Sequence, residues 1–587
     1  MALIASAAGG LLLLDTVRIW LPSLTTIFGS AGTTDPLTLA AFALVWVLPA
    51  AFAIPLTRRW PTATPAVLAG TATAARLVGQ AGVWQLYTSC VATTALFGWL
   101  VAVATKGWPT KKVAVGLAVS LATATLLQLL SGSVDLTWWS GPVPWLLIIG
   151  CGAVMVAAAR ERYFEESATA LWFAVGPTLL LAGIITTTTS RVEHGFIVGV
   201  GATVGIALTT RSGPAWLVAA LIIGATALAD LPRDNGNFPW WTAIPQATLA
   251  ALLPAALGHA ANSGTQRHRG ASAYGGLLVF FFLCSTYFVA FDTSLPVWRP
   301  GLVLLAAVLV GAAAVTNRTK LTQPVPWLPL VPAAVAMVLA TTVNPAETPA
   351  NHQAAWPVKV VTYNVRYGIS EDGRFAPGML VSAITALEPD VVMLQEVDRG
   401  MLVNGQHDVL AQLQKRLGMH AYYAPSSDPL FGDAILSRQP LDEVSFHSFP
   451  RYDIATGAGV LCAVLRMPGG DLGLAVSHLH ENDNGISARQ VGDLTAEIRE
   501  MRAKGSLLLA GDFNAEPDNP KLGPIKQELK DGLAAKRPLN TWPAGSPTQQ
   551  LDHVFVSEDL DVGDVVTERT NASDHLPVAV TVTRRNG

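Results

Sequence analysis

The sequence predicts two unlike parts in one chain, a polytopic α-helical membrane domain over residues 1–345 and a C-terminal α/β sandwich over residues 358–587. Three observations predict it. The first 345 residues are poor in charge and slightly basic, whereas the remainder has the charge density of a soluble domain and is acidic. All but two of the 17 tryptophans fall in the front part. From Val358 onward long apolar runs give way to short β-rich runs separated by polar turns.

About thirteen apolar stretches of roughly 17–25 residues divide the front part, the length that crosses a hydrocarbon core as a helix. They lie near 2–28, 37–56, 64–81, 84–105, 112–131, 142–159, 169–187, 193–209, 213–231, 241–259, 273–291, 301–317 and 326–345. Trp60, Trp108, Trp138, Trp139, Trp240, Trp241 and Trp298 stand at segment edges, where an interfacial belt would place them. The first segment lacks a basic leader and runs on through Asp15, Arg18 and Pro22, so it reads as a retained span, not a signal peptide.

Loop charge sets the orientation. With the N-terminus inside, the cytoplasmic loops carry Arg58, Arg59, Lys106, Lys111, Lys112, Arg160, Arg162, Arg211, Arg267, Arg269, Arg318 and Lys320. The opposite loops carry only Arg191, Arg233 and Arg299. This asymmetry is the positive-inside pattern, and an odd number of spans then delivers residue 346 to the outer face. Residues 346–357 (AETPANHQAAWP) read as a linker. Cys90, Cys151, Cys284 and Cys462 show no paired spacing, which excludes a disulfide framework and a zinc site.

In the back part VKVVTYNV, DVVMLQEV, DAILSR, GVLCAVLRM, DLGLAVSHL, SLLLAGDF, LDHVFVS and PVAVTVT read as strands, with helices over 376–388, 405–418 and 485–504. Many buried strands with interleaved helices predict two packed sheets covered by helices. The strand ends terminate repeatedly in polar side chains: Asn364, Glu396, His478, Asp512 and Asn514 in GDFN, Asp552 and His553 in LDHVF, and Asp574 and His575 in SDH. Singly, each is a turn residue or a cap. Gathered at one edge, such acids would repel one another unless a cation neutralised them. Carboxylates and amides without thiolates suit a hard ion such as Mg²⁺, for which Mn²⁺ can substitute. A histidine beside that ion can serve as a general base, given a carboxylate to fix its tautomer.

The ordered set TYNV, LQEVD, DAILSR, SHL, GDFN, LDHVFVS and SDH resembles the endonuclease/exonuclease/phosphatase (DNase I-like) superfamily over about residues 358–584. The resemblance implies a four-layer α/β sandwich with its site at one sheet edge, and in-line attack of water on phosphorus. It implies that Glu396, Asn364 and Asp574 hold the metal, and that Asp512 and Asn514 orient water and phosphate. By the same likeness His575 is general base or charge partner with Asp552 holding its ring, and His478 donates to a phosphate oxygen. His553 stands where many relatives have an aromatic residue and Asp433 where many have Asn. Arg489 and His480 lie close by in sequence as candidate substrate contacts. The overall arrangement and the opening LLLLDTVRIWLPS also resemble the eukaryotic GPI-lipid (ceramide) remodelling proteins, although the Ala-rich composition looks bacterial, which makes a phosphoinositide-type or other glycerophospholipid the more plausible substrate.

Ionisable residues within spans are costly and mark function or pairing. Asp15 and Arg18, three apart, could pair with each other, and Arg76 interrupts the third span. The three are read as lining a cavity for an anionic lipid head group, with a buried ion pair as the competing reading. The leading expectation is therefore a membrane phosphodiesterase, phospholipase C-like or lipid-remodelling, acting on a phospholipid or glycolipid head group at the outer face. A tethered extracellular nuclease is the alternative, and the acidic back part, lacking a basic excess to exchange for phosphate counterions, argues against a stable nucleic-acid partner. A lipid transporter with a ligand-binding back domain is the third reading.

Overall fold

The computed structural model describes residues 1–585 apart from 30–33, 83, 164–166, 187–191, 212, 230–239, 263–267, 293–296, 317–352, 402–403, 453–456 and 482–484. The chain forms two compact units. One holds the described residues of 1–316 with 404–406; the other holds the described residues of 353–401 and 407–585.

Thirteen helices build the first unit among its described residues: α1 (Ala2–Ser23), α2 (Pro36–Val47), α3 (Ala53–Arg59), α4 (Ala63–Gln80), α5 (Gln85–Lys106), α6 (Thr110–Ser131), α7 (Val143–Ala158), α8 (Thr169–Thr186), α9 (Val192–Leu208), α10 (Ala215–Ala229), α11 (Ala243–Ala260), α12 (Arg269–Asp292) and α13 (Arg299–Val315). Each of the first twelve predicted segments coincides with helix, α2 and α3 together forming one of them; the thirteenth, 326–345, lies outside the described residues. Pro49, which has no N–H to give, sits in the 3₁₀ turn Leu48–Phe52 that joins α2 to α3. Among the described residues six helices are long and apolar enough to cross a membrane: Ala2–Phe28, Pro36–Arg59, Gln85–Lys106, Thr110–Trp138, Thr169–Thr186 and Arg269–Ala290. Where α8 meets α12, Gly176 and Gly276 lie so close that a Cβ on either would strike the facing backbone. Small residues at such crossings let helices associate where no hydrophobic gradient drives them together. One expectation fails here: Trp108 is fully buried, edge-on to Trp99 and Tyr163, and forms no part of an interfacial belt, whereas Trp60 and Trp298 are exposed.

The second unit contains two six-stranded sheets. Its strands are β1 (Val358–Asn364), β2 (Val391–Asp398), β3 (His420–Asp428), β4 (Phe431–Ser437), β5 (Asp442–Ser448), β6 (Gly459–Leu465), β7 (Leu472–His478), β8 (Ser506–Asp512), β9 (Lys530–Asp531), β10 (Asp552–Val556), β11 (Leu560–Thr567) and β12 (Val578–Arg584). The orders are β11-β12-β1-β2-β4-β3 and β5-β6-β7-β8-β10-β9. Each sheet has one parallel pair at its centre, β1 with β2 and β7 with β8, flanked by antiparallel neighbours.

Alternation explains the layering. Along β8, Leu508 and Ala510 enter the core between the sheets, and Leu507 and Leu509 enter a second core on the opposite face. That outer face is covered by α16 (Ile486–Arg502), with α17 (Gly523–Glu528) beside it. On the other sheet α15 (Val409–Leu417) packs on β2 and β3, and α14 (Pro377–Ala386) packs on α15. The result is the four-layer sandwich that the sequence predicts.

Candidate active site

Strand register brings the polar strand ends to one edge. The C-terminal residues of the two parallel strands β7 and β8 are partners, His478 opposite Asp512. Because β10 runs antiparallel to β8, its first residue, Asp552, lies opposite Asp512. In the other sheet β1 ends at Asn364 beside Gln395 of β2. The antiparallel β12 opens at Val578 opposite Thr362, so Asp574 and His575 precede it beyond the end of β1. A break in the β2–β4 register between Leu394 and Val397 leaves Glu396 in the left-handed region at φ 55°, a costly conformation for a non-glycine residue that typically marks functional sites.

The side chains then meet. Nδ1 of His575 lies 2.8 Å from Oδ2 of Asp552, and its Nε2 lies 3.5 Å from Oδ2 of Asp512. Asn364 donates from Nδ2 both to Glu396 Oε1 (3.1 Å) and to Asp512 Oδ2 (3.0 Å), joining the two sheets' acids through one amide. Its Oδ1 accepts from the Arg366 backbone N–H. Nε2 of His478 is 3.1 Å from Nδ2 of Asn514 and 3.7 Å from Asp512 Oδ2. Asn514 itself sits at φ 47°, and its backbone N–H donates to Asp512 Oδ1. Arg366 Nε reaches Asp574 Oδ2 at 3.4 Å. Nothing in the sequence reading singled out Arg366; its place two residues after Asn364 was the available signal.

Charge and burial oppose each other throughout. Burial alone would pull His575 down, but Asp552 and Asp512 on either side push it up to about 10, so the ring is an imidazolium at neutral pH. Burial lifts Glu396 above the usual carboxylate range; His478 pulls it back and Asp574 lifts it further. Asp512 ends below the usual range because His575, His478 and the Asn514 N–H outweigh its burial. Burial raises Asp433 to about 7, partly offset by His478 and reinforced by Glu396 and Asp512; its Oδ1 is buried without a hydrogen-bond partner. His478 ends above its ordinary value, its burial outweighed by Asp512 and Glu396.

Among the described residues Asp512, Asp552 and His575 form a buried group whose ligand atoms all lie within 4.8 Å of one another and could bind a metal. Glu396, whose charging Asp574 opposes, and Asp574 itself carry hard oxygen atoms of the kind a divalent cation takes. Asn364 turns its NH₂, not its oxygen, toward these acids, and as placed it clamps them; to ligate an ion its amide would turn over.

His553 faces away from Asp552, between Phe513 and Phe555, with Nε2 2.8 Å from the Ala515 carbonyl; burial lowers it to about 4. Its aromatic neighbours explain why an aromatic residue suits this position. Arg489 is exposed at the start of α16, its guanidinium 4.7 Å over the Tyr452 ring. His480 is part-buried, its backbone N–H donating to Gln490 Oε1.

In the helical unit Asp15 and Arg18 do not pair with each other. Arg76 donates to Asp15, and Arg18 Nε lies 2.6 Å from Asp135 Oδ1. Asp135, which the sequence reading missed, belongs to the turn after α6. The same network holds that turn: Arg76 donates to Thr137 Oγ1 (2.7 Å), and Asp15 Oδ1 accepts from the Leu136 N–H (3.2 Å).

The endonuclease/exonuclease/phosphatase family model matches residues 361–575. No curated protein matches the chain. Similar solved structures include an endonuclease/exonuclease/phosphatase from Beutenbergia cavernae (20% identity, 39% of this chain and 71% of that one, TM-score 0.33). The human Nocturnin catalytic domain with bound sulfate anion is similar at 21% identity over 40% of this chain and 96% of that one, TM-score 0.34. Truncated Caenorhabditis elegans TDP2 is similar at 19% over 39% and 98%, TM-score 0.32. Residues 361–575 of this chain are an endonuclease/exonuclease/phosphatase family domain, of a superfamily whose members are generally metal-dependent phosphodiesterases and nucleases.

Proposed function

We propose that the protein is a Mg²⁺-dependent phosphodiesterase, phospholipase C-like or lipid-remodelling, that cleaves the head group of a phospholipid or glycolipid at the outer membrane face. The observation that carries the catalytic part is the Asp552–His575–Asp512 chain, joined through Asn364 to Glu396. The thirteen-span topology, with residue 346 delivered outside, rests on loop charge and on the twelve helix-coincident segments.

Glu396 and Asp574 are the residues that would hold the ion, with Asn364 beside them. Bound there, it would supply Lewis-acid stabilisation of charge on the phosphoryl and leaving oxygens. The rest falls to side chains. Asp512, held ionised, accepts a hydrogen bond from water and sets its line of approach to phosphorus. The His575 imidazolium, fixed by Asp552, and His478 donate to phosphate oxygens, where negative charge grows in the transition state. Asn514, hydrogen-bonded to the Leu479 carbonyl, keeps His478 aimed. Arg489 and His480 are proposed as outlying substrate contacts, and Asp15, Arg18 and Arg76 as part of the wall of a lipid cavity.

The test uses purified full-length protein with lipid vesicles and, separately, a DNA oligomer. Release of a phosphorylated head group that needs Mg²⁺ and vanishes in His575→Ala supports the proposal. DNA cleavage without lipid turnover overturns it in favour of a nuclease, and lipid transport surviving His575→Ala overturns it in favour of a transporter.

A further inference from the structure

The loop after β8 holds Asn514 in the left-handed region at φ 47°, with its amide 3.1 Å from His478 Nε2. A non-glycine residue keeps such a conformation only where its surroundings fix it. Its side-chain Nδ2 donates to the Leu479 carbonyl at 2.9 Å, and its backbone N–H donates to Asp512 Oδ1 at 2.9 Å. Its own carbonyl accepts from the Lys521 ammonium at 2.7 Å. The same ammonium donates to Ser487 Oγ, in the first turn of α16, at 3.0 Å.

These contacts close a ring through three chain segments. Gln490, three residues after Ser487 and on the same helix face, accepts from the His480 N–H at 2.9 Å. Leu479 and His480 follow β7, Ser487 and Gln490 open α16, and Asn514 follows β8; Lys521 joins the second of these to the third. Both Ser487 and Gln490 are buried. Lys521 is itself well placed by its turn. It lies in the 3₁₀ turn Pro520–Leu522, its N–H bonded to Asn519 Oδ1 at 3.0 Å, and the adjacent Leu522 is fully buried in the core under α16. A hydrogen bond from an ammonium is roughly twice as strong as one between neutral groups.

We propose that Lys521 is a positioning residue: its ammonium fixes the Asn514 carbonyl and, through the Asn514 amide, the aim of His478. The effect on turnover rests on the phosphodiesterase reading; the effect on the loop does not.

The test compares wild type, Lys521→Met and Lys526→Met as full-length protein in detergent. Lys526 is the control, because its ammonium meets the Pro517 carbonyl in the same loop but lies outside the ring. Amide exchange read by mass spectrometry over residues 513–516 should quicken at least about tenfold in Lys521→Met and stay within about twofold of wild type in Lys526→Met. With bis(p-nitrophenyl) phosphate and Mg²⁺, kcat should fall about tenfold in Lys521→Met while KM stays within about twofold, which marks a lost alignment and not a lost substrate contact. In a chain whose four native cysteines are Ala, Lys521→Cys should regain most of the loss once aminoethylation restores an ammonium at that reach, and not after methylation of the thiol. Unchanged exchange in Lys521→Met, unchanged kcat, a raised KM at unchanged kcat, or equal activity after either modification overturns the proposal. A wild type that turns over no diester would sink the phosphodiesterase reading and leave the exchange comparison to decide this one.

Discussion

Replacing Asp552 by Asn keeps the shape of the side chain and removes its charge from His575, which it meets at 2.8 Å in a fully buried position. His575 is raised from 6.5 to about 10 against a burial that pulls the other way. That difference amounts to about 5 kcal/mol of preference for the imidazolium. Asp552 is the larger of the two carboxylate contributions and the nearer one; Asp512 stands at 3.5 Å. Its loss removes both the acceptor that fixes the ring and the nearer of the charges that hold it protonated, and kcat/KM should fall by about 10²-fold. The assay is hydrolysis of bis(p-nitrophenyl) phosphate by purified full-length protein, with circular dichroism to confirm the fold. An Asp552→Asn enzyme that keeps a third or more of wild-type kcat/KM would refute the reasoning, because the imidazolium would then owe little to its buried partner.

Four further outcomes are expected. Glu396→Gln should weaken Mg²⁺ binding by at least about 100-fold in calorimetry; unchanged binding would remove Glu396 from the metal set. Arg18→Met should lower stability by roughly 3–5 kcal/mol, because Asp135 is left buried without its cation, and Arg18→Met with Asp135→Leu should recover most of it; thermal melts in detergent read both. His553 is held neutral, with a folded value near 4 against 6.5 for free imidazole, so its contribution is present above pH 6.5 and lost as pH falls toward 4. The stability of wild type relative to His553→Phe should accordingly drop by about 3 kcal/mol between pH 7 and pH 4, and a flat difference would contradict the assignment. With the four native cysteines replaced by Ala, Ser140→Cys should react with an impermeant maleimide on intact cells and Arg59→Cys should not; the reverse pattern would invert the topology.

The interior of the catalytic fold was legible because both faces of its strands are buried. Each of the eight strands read from sequence is present. The four it missed, β3, β5, β9 and β11, are the ends of the two sheets. An edge strand has one neighbour and much exposed surface: β5 (DEVSFHS) is exposed along most of its length, β3 contains Pro425, and β9 is two residues long. None presents the apolar run that marks a central strand. The site was legible for a related reason, since each parallel strand ends in a polar residue where register collects them. Arg366 was not, because its role depends on a turn with φ 44° that brings it to Asp574. In the helical unit the sequence spacing of Asp15 and Arg18 invited a local pair, but tertiary packing gave each a distant partner, Arg76 and Asp135.

The central claim is lipid head-group cleavage by the His575-centred site, and lipid mass spectrometry of cells carrying the wild-type or the His575→Ala chain tests it most directly. One phospholipid or glycolipid class should accumulate in the variant while its phosphorylated head group disappears from the medium. Indistinguishable lipid profiles, at equal protein levels, would contradict it.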